Sequence, residues 1–387
     1  MKYDFDSVVD RHGTGSIKWD VADGELPMWV ADMDFKTAPE ITEAITNRAL
    51  HGVFGYTDVP GEWYSAYISW WERRHSFSMK KEWLMFCTGV IPAISSTVRK
   101  LTTPNENVVI QTPVYNVFFN SVINTGCRVL ESPLVYENGG YRMDLEDLEK
   151  KFADPQTTLM ILCNPHNPVS KIWDGDTLAA IGDLARKHGV TVISDEIHCD
   201  ITAPGKGYIP FASVSENCRD VSVTCIAPTK AFSIPGIQTA AICVPNEHLR
   251  NRVKRAINTD EVAEPNAFAC IAATAAFERG EKWIDEMREY VFENRKILED
   301  YVASNIPELK VIKGDATYLV WVDISSLGKD SATVCKFIRK TTGLFITAGS
   351  VYGKCGDGFV RINVACPKSL LYDGLERLKR GIEEINK

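Results

Sequence analysis

Apolar residues in the middle of the chain come in short, unbroken runs rather than in alternation. "NVVIQTP" (107–113), "TTLMILCNP" (157–165), "GVTVISDEI" (189–197), "VSVTCIAP" (221–228) and "AAICVP" (240–245) are rich in Val and Ile, the pattern of strands covered on both faces. Between the second and third runs the period lengthens. In "DGDTLAAIGDLARKHG" (174–189), Leu178, Ile181, Leu184 and Ala185 share one helical face and Gly189 is placed to end the helix. Strand, helix, strand predicts a largely parallel sheet with right-handed crossovers. From about 249 to 300 the pattern turns helical and charged, in "EHLRNRVKRAINTDEV" and "EKWIDEMREYVFENRKILEDYVA". Strands "LKVIKGDATYLVWVDI" and "GFVRINVA" follow, with a closing helix near 368–385. The fold class expected is therefore α/β: a large domain with a mainly parallel sheet flanked by helices, plus a smaller α+β domain.

Composition narrows the chemistry. With 387 residues, 45% hydrophobic and 24% charged, the chain is long enough for two cores. The net charge of −8 and the lack of any Lys or Arg block speak against nucleic acid or an anionic membrane as partner and favour small-molecule chemistry. "MKYDFDSVVD" has no apolar signal core, and no apolar stretch approaches the roughly 20 residues of a membrane span; a cytoplasmic protein is expected. Eleven cysteines without a C-x-x-C pair argue against a disulfide framework or a zinc knuckle.

Ligands of open parallel sheets bind beyond the carboxyl ends of the strands. At those ends stand Asn164 and Asn167 in "CNPHNPVSK", then Asp195, Glu196 and His198 in "SDEIHCD", then Thr229 and Lys230 in "APTKAF". The double Asn-Pro step ends its strand firmly, because proline supplies no donor and restricts the residue before it. "CTGVIPAISSTVRK" places a Gly turn, Gly89 and Val90, at a helix start suited to a phosphate, and "TPVY" puts Tyr115 at another strand end. A lysine amine for an aldehyde, a carboxylate for a ring nitrogen, donors for a phenolate and a phosphate, and an aromatic ring for stacking form the set that pyridoxal 5'-phosphate requires. Taken singly, each piece has a plainer reading. Lys230 alone is a solvated loop lysine, Asp195 a helix cap, Tyr115 packing and Arg361 a paired strand arginine. "DEIHCD" as a metal cluster lacks a second histidine at a standard spacing, and "GTGS" and "GKGY" lack the context of a phosphate loop.

In their order, "TGV", "TPVY", "NPHNPVSK", "SDEIHCD", "APTKAF" and "GFVRIN" resemble the fold-type I pyridoxal-phosphate enzymes of the aminotransferase superfamily, over nearly the whole chain. "RHGTGSIKWD", "LPMWVADMDF", "VFGYT", "SDEIHCD" and "ATYLVWVD" resemble, more narrowly, the MalY/PatB-type cystathionine β-lyases, or cysteine-S-conjugate β-lyases. The resemblance implies that Lys230 bonds the cofactor aldehyde and acts catalytically, that Asp195 pairs with the pyridine nitrogen, and that Asn167 and His198 hold the phenolate oxygen. His198 stands where aminotransferases usually have tyrosine. Tyr115 would stack on the ring, Gly89, Val90 and Thr229 would serve the phosphate, and Arg361, with Asn167, would bind the substrate carboxylate. Tyr56 would reach the phosphate of a neighbouring subunit, implying a homodimer with shared sites. Ala227 and Gln238 depart from the serine and arginine common in relatives. His166 is left as a rim residue and Asn164 as structural. The implied domains are 1–48 (N-terminal arm and part of the small domain), 49–285 (large, cofactor-binding) and 286–387 (small). The implied activity is carbon–sulfur elimination from cystathionine, cysteine or related conjugates; an aminotransferase and a cofactor-dependent regulatory binding protein are the alternatives.

Overall fold

The computed structural model describes residues 2–385 and 387. Its central sheet has seven strands: β1 (Leu84–Cys87), β2 (Asn107–Ile110), β3 (Arg128–Glu131), β4 (Thr157–Cys163), β5 (Thr191–Asp195), β6 (Ser222–Ile226) and β7 (Ala240–Cys243), in the spatial order β1-β7-β6-β5-β4-β2-β3. All five expected runs form strands. Strands β2 to β6 are mutually parallel where they pair, whereas β7 runs antiparallel to both β6 and β1. The unbroken apolar run of β7 reports cover on both faces and says nothing of direction. The edge strand β3 carries charged, partly exposed residues at both ends, as suits an edge open to water.

The two faces of this sheet pack different helices. Val108, Ile110, Leu159, Ile161, Ile193 and Val223 meet Val90, Ala93, Ile94 and Val98 of helix α1 (Val90–Leu101). Val109, Met160, Leu162 and Val192 meet Leu178, Ile181 and Ala185 of helix α2 (Gly175–His188). Successive residues of one strand thus serve opposite layers, each large side chain contributing about 2 kcal/mol by leaving water. Helix α2 is closed as its sequence suggested: the Asp174 carboxylate accepts from the Thr177 N–H, and Gly189 takes a left-handed φ of 69°. All eleven cysteines are free and ten are buried. Among the described residues no helix is long and apolar enough to cross a membrane.

A second, antiparallel sheet joins β8 (Lys310–Val311), β9 (Leu319–Asp323), β10 (Thr347–Ala348) and β11 (Phe359–Asn363) in the order β8-β9-β11-β10. The chain start is tied to this part of the molecule. Leu26–Pro27 pair with Leu344–Phe345, and the Trp29 ring stacks on Phe345 at 4.6 Å. The Asn363 amide donates to the carbonyls of Val30 and Asp32, each at 2.6 Å. Residues 28–34 thereby form a strap crossing from the second sheet to the carboxyl rim of the first.

Candidate active site

Three successive strands deliver the rim. Strand β4 ends at Cys163 and passes through the cis Asn164-Pro165 bond to Asn167, itself followed by a second cis bond to Pro168; β5 ends on Asp195; β6 leads through Ala227 and Pro228 to Thr229 and Lys230. A cavity of about 300 Å³ lies there, walled by Asn167, Asp195, His198, Thr229 and Lys230, by Tyr115, and by Thr88, Gly89 and Val90 at the start of α1. No side chain caps that helix start, so its first N–H groups and the dipole are left for an anion. Eight of the ten residues to which the family resemblance gives a site role, all but Arg361 and Tyr56, line this one cavity.

Electrostatics inside it are unusual. Burial pushes the Asp195 carboxyl up to about 7, against the pull of the Ile197 N–H, which donates to Oδ1 at 3.1 Å, and of the Lys230 charge. Among the described residues Asp195 forms no ion pair, and its carboxylate would be stabilised by a protonated ring nitrogen. Burial, aided by the charges of Lys230 and Arg361, pushes His198 down to about 3, so its imidazole is neutral, and its Nδ1 is buried without a partner among the described residues. Burial lowers the Lys230 amine to about 8. That amine donates to the Ala31 carbonyl, which also accepts from the Tyr318 hydroxyl at 3.0 Å. The strap therefore touches the lysine directly.

Arg361 stands on β11, buried, with Nη1 on Asn167 Oδ1 at 3.0 Å, Nη2 on the Trp29 carbonyl at 2.8 Å, and its guanidinium 4.9 Å from the centre of the Tyr352 ring. It adjoins the cavity through Asn167 and keeps Nε without a partner among the described residues. Tyr56 is fully exposed, as are large parts of Leu50, Val53 and Phe54 beside it; it takes no part in the cavity of its own chain. A family model described as aminotransferase class I and II matches residues 26–378. The chain belongs to the aminotransferase class I and II family. It is 40% identical over 385 residues to cystathionine beta-lyase PatB of Bacillus subtilis, covering 98% of this chain and 99% of that protein. It is similar to cystalysin from Treponema denticola, whose structure contains a pyridoxal 5'-phosphate cofactor, with a TM-score of 0.96, 32% identity and coverage of 99% and 100% of the two chains. It is also similar to the PLP-bound C-S lyase from Staphylococcus hominis, with a TM-score of 0.93, 32% identity and 99% of each chain covered.

Within this family member one expectation changes. His166 is no rim residue: it is fully buried, its Nε2 lies 2.8 Å from the Pro113 carbonyl, its ring meets Trp173 edge-on, and burial lowers it to about 4. The "DEIHCD" segment divides: His198 faces the cavity while Cys199 and Asp200 face His75 instead. Asp200 accepts there from His75 at 2.9 Å and from the Trp70 indole at 3.0 Å. Asn164 is structural as expected, donating to the Ile209 carbonyl at 2.9 Å. Reading the sequence missed Thr88, Ala31 and Thr239 as cavity walls. Gln238, noted only as a departure, lines the cavity as well; its left-handed φ of 57° is a backbone signal that residue type does not carry.

Proposed function

We propose that this protein is a pyridoxal-phosphate-dependent carbon–sulfur lyase acting on L-cystathionine, L-cysteine or related cysteine S-conjugates, giving pyruvate, ammonia and a thiol or hydrogen sulfide. What carries the reading is one cavity that joins a lysine amine, a buried carboxylate in no ion pair among the described residues, and a neutral imidazole. Those groups fit the cofactor. Lys230 would hold its aldehyde, Asp195 its ring nitrogen, Asn167 and the orphaned His198 its phenolate oxygen, and Tyr115 its ring face. The helix start at Gly89 and Val90, with Thr88, Thr229 and Gln238, would hold the phosphate without the serine and arginine usual in relatives. When bound, the cofactor supplies an electron sink for the carbanion left when a proton leaves Cα.

The residues supply the rest. Arg361 and Asn167 grip the substrate α-carboxylate and orient the Cα–H bond. The Lys230 amine, lowered to about 8, takes the Cα proton near neutral pH and can hand it to the departing sulfur. A thiol, with a pKa of about 8.5, leaves far more readily than an alkoxide, and water converts the remaining three-carbon fragment to pyruvate and ammonia. The cystathionine beta-lyase name of a full-length relative favours elimination over amino-group transfer. The arm 1–48, the large domain 49–285 and the small domain 286–387 are proposed as the units, and two copies are proposed to pair so that Tyr56 reaches the partner's phosphate.

One assay separates the two reactions. Given cystathionine and no keto acid, the enzyme is expected to release pyruvate, ammonia and thiol over many turnovers. A transaminase would release no pyruvate, ammonia or thiol; it would convert one equivalent of cystathionine per subunit to its 2-oxo acid, carbon–sulfur bond intact, and continue only on adding a keto acid.

A further inference from the structure

We infer that the Ala31 carbonyl, fixed by the Tyr318 hydroxyl, is the post that holds the Lys230 amine whenever that amine is off the cofactor, and that Tyr318 is a positioning residue for the proton transfer at Cα. The task of the amine rests on the lyase reading, whereas the hold itself can be read in cofactor-free protein. Two donors meet on one oxygen, the Lys230 amine and the Tyr318 hydroxyl, the latter at 3.0 Å. A backbone carbonyl offers two lone pairs, so both are taken. A neutral amine has a single lone pair, and giving one N–H to Ala31 restricts where that lone pair can point. Ala31 and Lys230 stand on the wall of the same cavity, where the substrate Cα has to arrive.

The post is rigid, because every carbonyl from Trp29 to Asp32 is tied down. Trp29 accepts from Arg361 Nη2 at 2.8 Å and from Thr347 Oγ1 at 3.1 Å, and Val30 and Asp32 each accept from the Asn363 amide at 2.6 Å. Tyr318 is equally fixed. It is fully buried just ahead of β9, its own carbonyl accepts from the Val364 N–H at 2.9 Å, and its ring lies edge-on to that of His198 with centres 6.1 Å apart. A buried phenol needs an acceptor; the one Tyr318 takes is the oxygen that also receives the lysine. The sharing has an electrostatic consequence. A carbonyl that accepted from the amine alone would favour the ammonium form, and a second donor on the same oxygen weakens that pull and leaves more free base. Asp32, Arg361 and Asp195 act on the same amine, as does its neighbour on the cavity wall, the neutral His198. Removing one hydroxyl alters none of these.

The test is Tyr318→Phe, which keeps the ring and removes the hydroxyl. In the loaded enzyme kcat on L-cystathionine is expected to fall about tenfold with KM unchanged, and the primary isotope effect from deuterium at Cα to grow, because a poorly held amine slows proton removal. In cofactor-free protein, labelling of Lys230 by acetic anhydride, followed across pH by peptide mass spectrometry, is expected to show a midpoint of about 8 in the wild type and a higher one in Tyr318→Phe. A tyrosine that only supports the fold would lower Tm and move neither the isotope effect nor the midpoint. Should Tyr318→Phe not fold, the wild type reads the same hold by NMR with isotope-labelled alanine carbonyls. The Ala31 resonance, assigned by its loss in Ala31→Gly, is expected to titrate with the Lys230 midpoint in cofactor-free protein and to stop doing so when the cofactor takes the amine. An unchanged isotope effect and midpoint in Tyr318→Phe, or an Ala31 resonance indifferent to Lys230, overturns the inference while leaving the lyase reading intact. Absence of pyruvate from the wild type overturns the lyase reading and, with it, the catalytic task of the hold.

Discussion

Arg361 and Asn167 lie 194 positions apart in the chain, yet the guanidinium Nη1 donates to the Asn167 amide oxygen at 3.0 Å, linking the second sheet to the rim of the first. One bond thus couples the residue proposed to grip the substrate carboxylate to one proposed to touch the cofactor. Arg361→Lys keeps the charge but cannot serve Asn167, the Trp29 carbonyl and a carboxylate together. A loss of roughly 10- to 100-fold in kcat/KM, mainly through KM, is expected from steady-state kinetics with cystathionine. A drop confined to kcat with KM unchanged would count against the carboxylate role.

Among the described residues Lys230 is the one lysine on the cavity wall. Borohydride reduction of the loaded enzyme followed by peptide mapping should find the pyridoxyl group on Lys230, and Lys230→Ala should lose about 1000-fold or more in pyruvate release. A label on any other lysine defeats the site assignment.

Asp195 has its proton held more tightly in the fold than in the unfolded chain, since burial raises it to about 7. Its effect on the cofactor-free protein is therefore unfavourable: stability is highest below the ordinary aspartate value and falls as pH rises toward 7. Asparagine does not titrate. Calorimetry of cofactor-free protein should show the Tm of Asp195→Asn gaining on the wild type between about pH 4.5 and 7. Bound cofactor should reverse the order, the wild type being stabilised more. A Tm difference independent of pH would deny the unpaired carboxylate.

His166 is held neutral, lowered to about 4. A depressed histidine contributes stability that is whole above its unfolded value of about 6.5 and is lost as pH falls toward 4. His166→Ala should cost about 2 kcal/mol or more in denaturant unfolding at neutral pH, while the turnover of the folded enzyme stays unchanged. Loss of turnover without loss of stability would return His166 to the rim.

Tyr56 is fully exposed in its own chain, although a phenol beside Phe54 and Val53 has much apolar surface to hide. If it completes a partner's phosphate site, Tyr56→Ala and Lys230→Ala subunits refolded together should regain part of the activity that each lacks alone. Heterodimers verified by native mass spectrometry but showing no recovery would argue against sharing.

The sequence by itself determined five of the seven strands of the central sheet, all but Leu84–Cys87 and Arg128–Glu131, and most of the composition of its rim. Unbroken apolar runs record burial on both faces, and a parallel sheet collects its strand ends on one side. Asn167, Asp195, His198, Thr229 and Lys230 could therefore be assigned to one place from their order alone, and the capped helix 175–188 from its period and its Gly189. Direction, partners and depth were decided only by the tertiary structure. The run 240–243 is as apolar as its neighbours but lies antiparallel to them. His166 sits at the strand end beside Asn167 and read as a rim residue, and only the Pro113 carbonyl, 53 positions away, shows it to be sealed in the core. The strap of residues 28–34 reaches Lys230 because Asn363, more than 300 positions on, holds its carbonyls. Periodicity is a local record of which side of a residue meets water; contacts between distant segments depend on how whole layers pack, and no window of sequence contains both partners.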